Sequence, residues 1–499
     1  MAAIAVLISL LPLGYLFVRN GSTGFGNLWL AIGEVRTLEL IFNSLLLAFT
    51  VSISALIIGS LQAWVAVRTN LPGRKLFAVL AALPLAIPSY VAAYSWLAVF
   101  PFLNGFFAVW LVLTLGTAPI VYLAVSASLA RFDSASEEVA RSLGAKKFRV
   151  FRSITWPNIR PAAISSALLS ALYVLSDFGA VSILRYDTFT RAIYNAYRAS
   201  FDRNQAATLA LVLVLVTVAV LIFESASRGK YRSGNSLASR LSLVTLAGFK
   251  VPLLVILSSI ALIGLVIPLY SLIRWSVIGL PDANFGEIGR ALLNSITLAV
   301  SGGMLTSLFA VAIAVVVVRW KSLLGTLLER SVWLTHATPG IVVALSLVFF
   351  SNQVAPWIYQ TSFLVLIAYL TLFLPNALAA VSTPLAQSPK SLDEVAASLG
   401  LKKIQVLFRV VIPVALPGIF AATALVILTV LKELPATLLL RPTGIETLAT
   451  RLWTETSVSA FSSAAPYALL LVVLAGIPAF LLNRAIRKDL EPLSDWGRD

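Results

Sequence analysis

Ser134-Ala135-Ser136-Glu137-Glu138-Val139-Ala140-Arg141-Ser142-Leu143-Gly144 stands between two long apolar segments, and Ser391-Leu392-Asp393-Glu394-Val395-Ala396-Ala397-Ser398-Leu399-Gly400 stands in the same setting further along the chain. From Glu138 to Lys147 the pattern Glu-Val-Ala-x-Ser-Leu-Gly-x-Lys-Lys is matched position for position by Glu394 to Lys403. Connecting loops ordinarily vary more than the elements they join. A loop kept twice therefore answers to a contact that both copies make, and it sets the frame for everything around it.

Ser134 with Glu137, and Ser391 with Glu394, have the spacing of a capping box, while Gly144 and Gly400 suit the left-handed residue that ends a short helix. Each loop is expected to be a compact helix, a glycine turn and then a basic amphipathic segment, with Lys146, Lys147, Arg149 and Arg152 set among Phe148, Val150 and Phe151. Pro157 and Pro413 close the two loops.

The surroundings are a lipid-phase sequence. Of 499 residues, 59 % are hydrophobic and 12 % charged, about half the charged share of a soluble domain. Apolar runs long enough to cross a hydrocarbon core are expected at roughly 2–18, 40–67, 76–99, 106–130, 161–184, 205–223, 251–273, 291–318, 329–351, 361–383, 417–440 and 464–483. The first lacks the basic lead and small-residue cleavage site of a secretory signal and reads as a span. The net charge of +16 sits in the short loops, which makes it a topology signal rather than a nucleic-acid surface. With no cysteine, disulfides and thiolate metal sites are excluded.

Alternate loops divide the Lys and Arg residues 26 to 10, with Lys432 inside a span. The richer set includes both Glu-Val-Ala loops and is expected in the cytoplasm with both termini. Pro12/Pro268, Pro119/Pro375, Pro157/Pro413 and Arg185/Arg441 match at a shift of 256, and Asn43/Asn294, Arg68/Arg319 and Pro88/Pro339 at 251. The expected organisation is a first repeat over 1–224 (repeated loop 131–160), a linker over 225–250 and a second repeat over 251–499 (repeated loop 386–416). Six spans per unit give the two copies the same orientation, so the expected fold is an all-α integral membrane bundle of about twelve helices in two parallel six-helix repeats.

Glu138-Val139-Ala140-x3-Gly144-x9-Ile154-x2-Pro157 and its second copy resemble the EAA loop of binding-protein-dependent ABC importer permeases of type I, here in fused two-half form. Val139 and Val395 stand where that family usually has its first alanine, and Trp156 replaces a leucine. The resemblance implies that the short helices dock on two copies of an ABC ATPase subunit, with Glu137, Glu138, Ala140, Gly144, Asp393, Glu394, Ala396 and Gly400 as coupling residues. It further implies a periplasmic or lipid-anchored substrate-binding protein as partner, and residence in the bacterial inner membrane among its lipids.

No Gly-x4-Gly-Lys-[Ser/Thr] stretch is present, so ATP is expected on the partner subunit, with no cofactor held by this chain and no enzymatic activity of its own. Ser301-Gly302-Gly303 imitates part of an ATPase signature but lies inside a span, where small residues serve helix approach. His336, the single histidine, reads as a packing residue.

Asp177 and Glu433 are ionisable residues within spans, at equivalent places in the two repeats. One reading places them on the translocation pathway, where oxygen ligands attract a hard cation. The other has Asp177 capping a broken helix before Phe178-Gly179 and Glu433 neutralised by Lys432 or an arginine. Leu175 to Ser182 followed by Phe189 to Tyr194 resembles the permeases of bacterial ferric-iron importers, which implies ferric iron as cargo; thiamine, phosphonate and polyamine permeases share related features. A secondary transporter driven by an ion gradient is the rival from another class, and it has no use for two matched loops.

Overall fold

The computed structural model describes residues 1–22, 32–130, 135–227, 244–320, 322–389 and 391–490. The linker serine and charge cluster expected near 225–250 falls mostly outside these residues, as does Ser134.

Among the described residues the regular elements are helices. The first repeat runs through α1 (Ala2–Ser22), α2 (Val35–Arg68), α3 (Arg74–Ala82), α4 (Ser89–Val99), α5 (Gly105–Ala130), α6 (Ala135–Ser142), α7 (Trp156–Ser176), α8 (Gly179–Ile183), α9 (Phe189–Arg198) and α10 (Arg203–Ser227). The second runs through α11 (Lys250–Ala261), α12 (Ile267–Gly279), α13 (Phe285–Val315), α14 (Leu323–Thr335), α15 (Gly340–Gln353), α16 (Ser362–Gln387), α17 (Ser391–Ser398), α18 (Ile412–Leu431), α19 (Pro435–Leu440), α20 (Leu448–Ser457) and α21 (Phe461–Leu490). Nine helical stretches among the described residues are long and apolar enough to cross a membrane.

Two expected spans, 76–99 and 329–351, are not straight rods. The path bends by 97° between Arg74–Ala86 and Ser89–Val99, and by 103° between Leu323–Thr335 and Gly340–Gln353. Pro88 and Pro339 sit at the two corners with ψ of 145°. Proline removes an N–H from the helix ladder and drives the residue before it out of the helical region, and Ile87 is extended with ψ of 118°. The expected spans 161–184 and 417–440 are interrupted as well. Helix α7 stops at Ser176, where Asp177 turns extended, and α18 stops at Leu431 before the short α19.

The duplication is written in the backbone too. Left-handed residues recur at comparable places: Gly144 (φ +84°) and Gly400 (+87°) stand at the 256-residue shift, while Gly105 (+73°) and Gln360 (+54°), Phe201 (+53°) and Ser459 (+61°), and Arg185 (+57°) and Gly444 (+86°) fall within three residues of it. Wide π turns at Phe151–Thr155 and Leu407–Val411 also correspond.

The chain forms two compact units. One comprises 1–38, 192–218 and 279–474; the other comprises 39–191, 219–278 and 475–499. The former thus joins most of the second repeat to α1 and to most of α9 and α10, and the latter joins the core of the first repeat to α11 and α12. In the former, α1 lies against α14, α15 and α16, and Arg19 stacks its guanidinium 3.9 Å from the centre of the Phe349 ring. In the latter, the turn after α11 approaches α5, with Gly264 against Leu115.

Close approach at small residues sets the core of each unit. An added Cβ at Gly59 would stand 2.6 Å from the Ala118 carbonyl oxygen, so α2 and α5 meet backbone to backbone. At Gly302 and Gly303 the nearest atoms are Tyr369 Cδ2 at 3.0 Å and Ile427 Cγ1 at 2.8 Å. Those glycines therefore pack α13 onto α16 and α18. His336 sits at the corner after α14 with its ring edge-on to Trp333.

Candidate functional site

Both repeated loops fold as one device. Helix α6 ends in a Schellman turn: the Gly144 amide donates to the Arg141 carbonyl at 2.9 Å and the Ala145 amide to the Ala140 carbonyl at 3.0 Å. In the second copy Gly400 donates to Ala397 at 3.0 Å and Leu401 to Ala396 at 3.2 Å. The two alanines of the motif supply the carbonyls that close the turn, and glycine supplies the positive φ at little cost. Ser142 and Ser398 bond back to the Val139 and Val395 carbonyls, each at 2.8 Å. Ser391 is already inside α17, so it does not occupy the cap position its spacing suggested.

What each loop displays is a mixed surface. Glu138 and Glu394 are exposed. Beside them stand apolar side chains facing water, with Leu143 82 % and Leu399 78 % exposed and Val139, Phe148, Val395 and Ile404 also uncovered. Clustered exposed apolar side chains of this kind are characteristic of interaction surfaces.

Glu137 and Asp393 do something different from their neighbours. Glu137 is buried, paired with the guanidinium of Arg68 at the end of α2, and accepts a 2.5 Å bond from the Thr155 hydroxyl. Arg141 approaches the same carboxylate at 3.6 Å. Asp393 meets Arg319 Nε at 3.3 Å, and that arginine also donates to the Ser388 carbonyl and hydroxyl oxygens at 3.2 and 3.1 Å. Ala140 is half-buried and Ala396 buried beneath the loops, while Gly144 and Gly400 are exposed. Arg68, Arg319, Thr155 and Ser388 were not singled out as site residues from sequence. The one available signal was that Arg68 and Arg319 match at the 251-residue shift.

Asp177 and Glu433 both sit at helix breaks. Asp177 Oδ1 accepts from the Ala180 amide at 2.9 Å, and its own carbonyl accepts from the Thr190 hydroxyl at 2.6 Å. Glu433 accepts from the amides of Ala436 and Thr437, each at 2.9 Å, and from the Thr437 hydroxyl at 2.8 Å. Since that hydroxyl proton is spent on Glu433, the Tyr369 hydroxyl donates to Thr437 across 2.7 Å. Each carboxylate caps the short helix that follows its break.

A family model described as "Binding-protein-dependent transport system inner membrane component" matches twice, over residues 55–227 and 306–491. The Fe(3+)-transport system permease protein FbpB 2 of Haemophilus influenzae is 37 % identical over 481 residues, covering 95 % of each chain. The ferric transport system permease protein FbpB of Actinobacillus pleuropneumoniae is 26 % identical over 64 % of this chain and 50 % of its own. The sulfate transport system permease protein CysT of Salmonella typhimurium is 29 % identical over 43 % of this chain and 85 % of its own. With the family pattern present once in each repeat, on a helical framework built to span a bilayer, the chain belongs to the inner-membrane components of binding-protein-dependent transport systems, as a fused two-half ABC importer permease.

Proposed function

We propose that this permease carries ferric iron from an extracytoplasmic binding protein into the cytoplasm, driven by two copies of a separate ATPase that dock on the loops at 135–155 and 391–411. The observation that carries the motor half is the pair of glycine-ended helices, each presenting an exposed glutamate beside uncovered apolar side chains. The cargo half rests on the Haemophilus influenzae ferric permease, which is 37 % identical along 95 % of both chains, against 29 % for the sulfate permease over 43 % of this chain.

In this mechanism ATP stays on the partner, and closure of the two ATPases pushes the coupling helices together. Glu138 and Glu394 engage the ATPase surface while Val139, Leu143, Val395 and Leu399 are buried by it. The permease then alternates between openings to either side. Both termini and both loops lie in the cytoplasm under the charge asymmetry of the loops.

The test is reconstitution in proteoliposomes with its ATPase and binding-protein partners. Uptake of radiolabelled ferric iron that requires ATP and is not competed by sulfate is the expected result; sulfate uptake without iron uptake would overturn the cargo. Reversing Glu138 and Glu394 to lysine together is expected to release the ATPase while the permease remains in the membrane. Full uptake by that double variant would overturn the docking assignment.

A further inference from the structure

We propose that Arg68 and Arg319 are positioning residues that carry the movement of the coupling helices into the second span of each repeat. This inference rests on the reading that an ATPase docks on α6 and α17.

Helix α6 has its closest extended backbone neighbours in the turns that follow it, Lys147–Val150 and Phe151–Thr155, and α17 likewise leans on Lys403–Val406 and Leu407–Val411. A push on such a helix passes into the next span along the chain. The route to the second span of the repeat is a side-chain link. Glu137 reaches Arg68 across 69 residues of sequence, and Arg319 reaches the Asp393 carboxylate and Ser388. Arg68 and Glu137 side chains are each 3 % exposed, and Arg319 is 4 % exposed against 25 % for Asp393.

Burying a guanidinium with a carboxylate carries a desolvation cost that apolar packing avoids. Having the arrangement twice, at matched positions, argues for a geometric duty rather than bulk stability. The planar guanidinium holds direction as well as charge, which a push needs. The third partners differ: Thr155 comes from the segment leading into the following span, and its counterpart Val411 has no hydroxyl to offer. In the second repeat Ser388, at the end of the preceding span, takes that place. The first clasp is the more enclosed, so its loss is expected to cost more than loss of the second.

The experiment uses the intact permease with its ATPase and binding protein, and compares Arg68→Met, Arg319→Met, both together, Arg68→Lys, and the exchange of Arg68→Glu with Glu137→Arg. Copurification of the ATPase with wild type is read first; its failure sinks the docking reading itself. Given docking, the double Met variant is expected to keep its ATPase and lose at least about tenfold in iron transported per ATP hydrolysed. Arg68→Met is expected to lose more than Arg319→Met, and the charge exchange to recover part of the loss. An unchanged ratio, or loss of the ATPase itself from the Met variants, overturns the proposal. Because the chain has no cysteine, spin labels placed at Ser142 and Ile57, both exposed, report the α6-to-α2 distance directly. A narrow distribution in wild type that broadens in Arg68→Met supports the clasp, and identical distributions refute it.

Discussion

The Asn294 side chain donates to the Glu446 carbonyl across 2.9 Å, tying the first third of α13 to the lead into α20. Next to it, the Ser295 hydroxyl oxygen accepts from the Leu448 amide at 2.8 Å. The first repeat has the same Asn-Ser pair: Asn43 donates to the Asp187 carbonyl at 3.2 Å and Ser44 accepts from the Phe189 amide at 3.2 Å. Two adjacent polar residues on a span thus fix the strand-like lead into a peripheral helix, once per repeat.

Replacing Asn294 by alanine leaves a half-buried carbonyl without its donor, a cost of about 1–2 kcal/mol. The thermal midpoint of the purified permease is expected to fall, and to fall further for Asn294→Ala than for Asn43→Ala, whose bond is longer. Equal midpoints for both variants and wild type would remove the structural role given to the pair.

Asp177 offers a sharp contrast between charge and geometry. Asn at that site keeps an oxygen for the Ala180 amide, whereas Ala discards the cap at about 1 kcal/mol. Iron uptake by Asp177→Asn is expected to stay within about twofold of wild type, with Asp177→Ala clearly lower. Abolished uptake in the Asn variant at normal protein level would instead assign the negative charge to the cargo path.

Glycine packing supplies a prediction with an internal control. A methyl group at Gly59 meets the Ala118 carbonyl of fixed backbone at 2.6 Å, while at Gly303 it meets the Ile427 side chain at 2.8 Å. Overpacking costs about 1–3 kcal/mol, and a rotatable side chain yields more readily than backbone. Gly59→Ala is expected to be the worse of the two in thermal unfolding. Gly116→Ala, which meets nothing within 4 Å, is expected to be tolerated.

Gly144 holds φ at +84°, where an alanine is strained by about 1–2 kcal/mol. Gly144→Ala is expected to speed amide exchange across residues 139–145 in hydrogen-exchange measurements, and Gly144→Asn to do so less. No difference in exchange between Ala and Asn variants would show that the turn does not depend on the left-handed residue.

The spans, the duplication and the looped helices were legible because each depends on local pattern: apolar length, proline register and the Gly144 and Gly400 spacing. Pro88 and Pro339 were visible as matched prolines, but a proline in an apolar run announces a kink without its angle, and the right-angled corners follow from packing around it. Asp177 and Glu433 were legible as misplaced charge, while their capping partners Ala180 and Thr437 became evident with the backbone traced. The ion pairs of Arg68 and Arg319 join residues about 70 positions apart, and no periodicity encodes such a meeting. Glu137 and Glu138 look alike in sequence; burial separates an internal tether from a displayed contact.

The placement of α1 bears on how the protein is made. Its packing partners α14, α15 and α16 emerge from the ribosome about 300 residues later, on the order of half a minute at bacterial elongation rates. For that interval the helix waits in the bilayer without the Phe349 ring on which Arg19 comes to stack. Insertion must therefore tolerate, or be helped through, a long-lived half-assembled state, and severing the chain after α10 would part several helices in each fragment from the unit in which they pack. Fusion of the two halves into one polypeptide guarantees that every early helix is synthesised together with the partner it awaits.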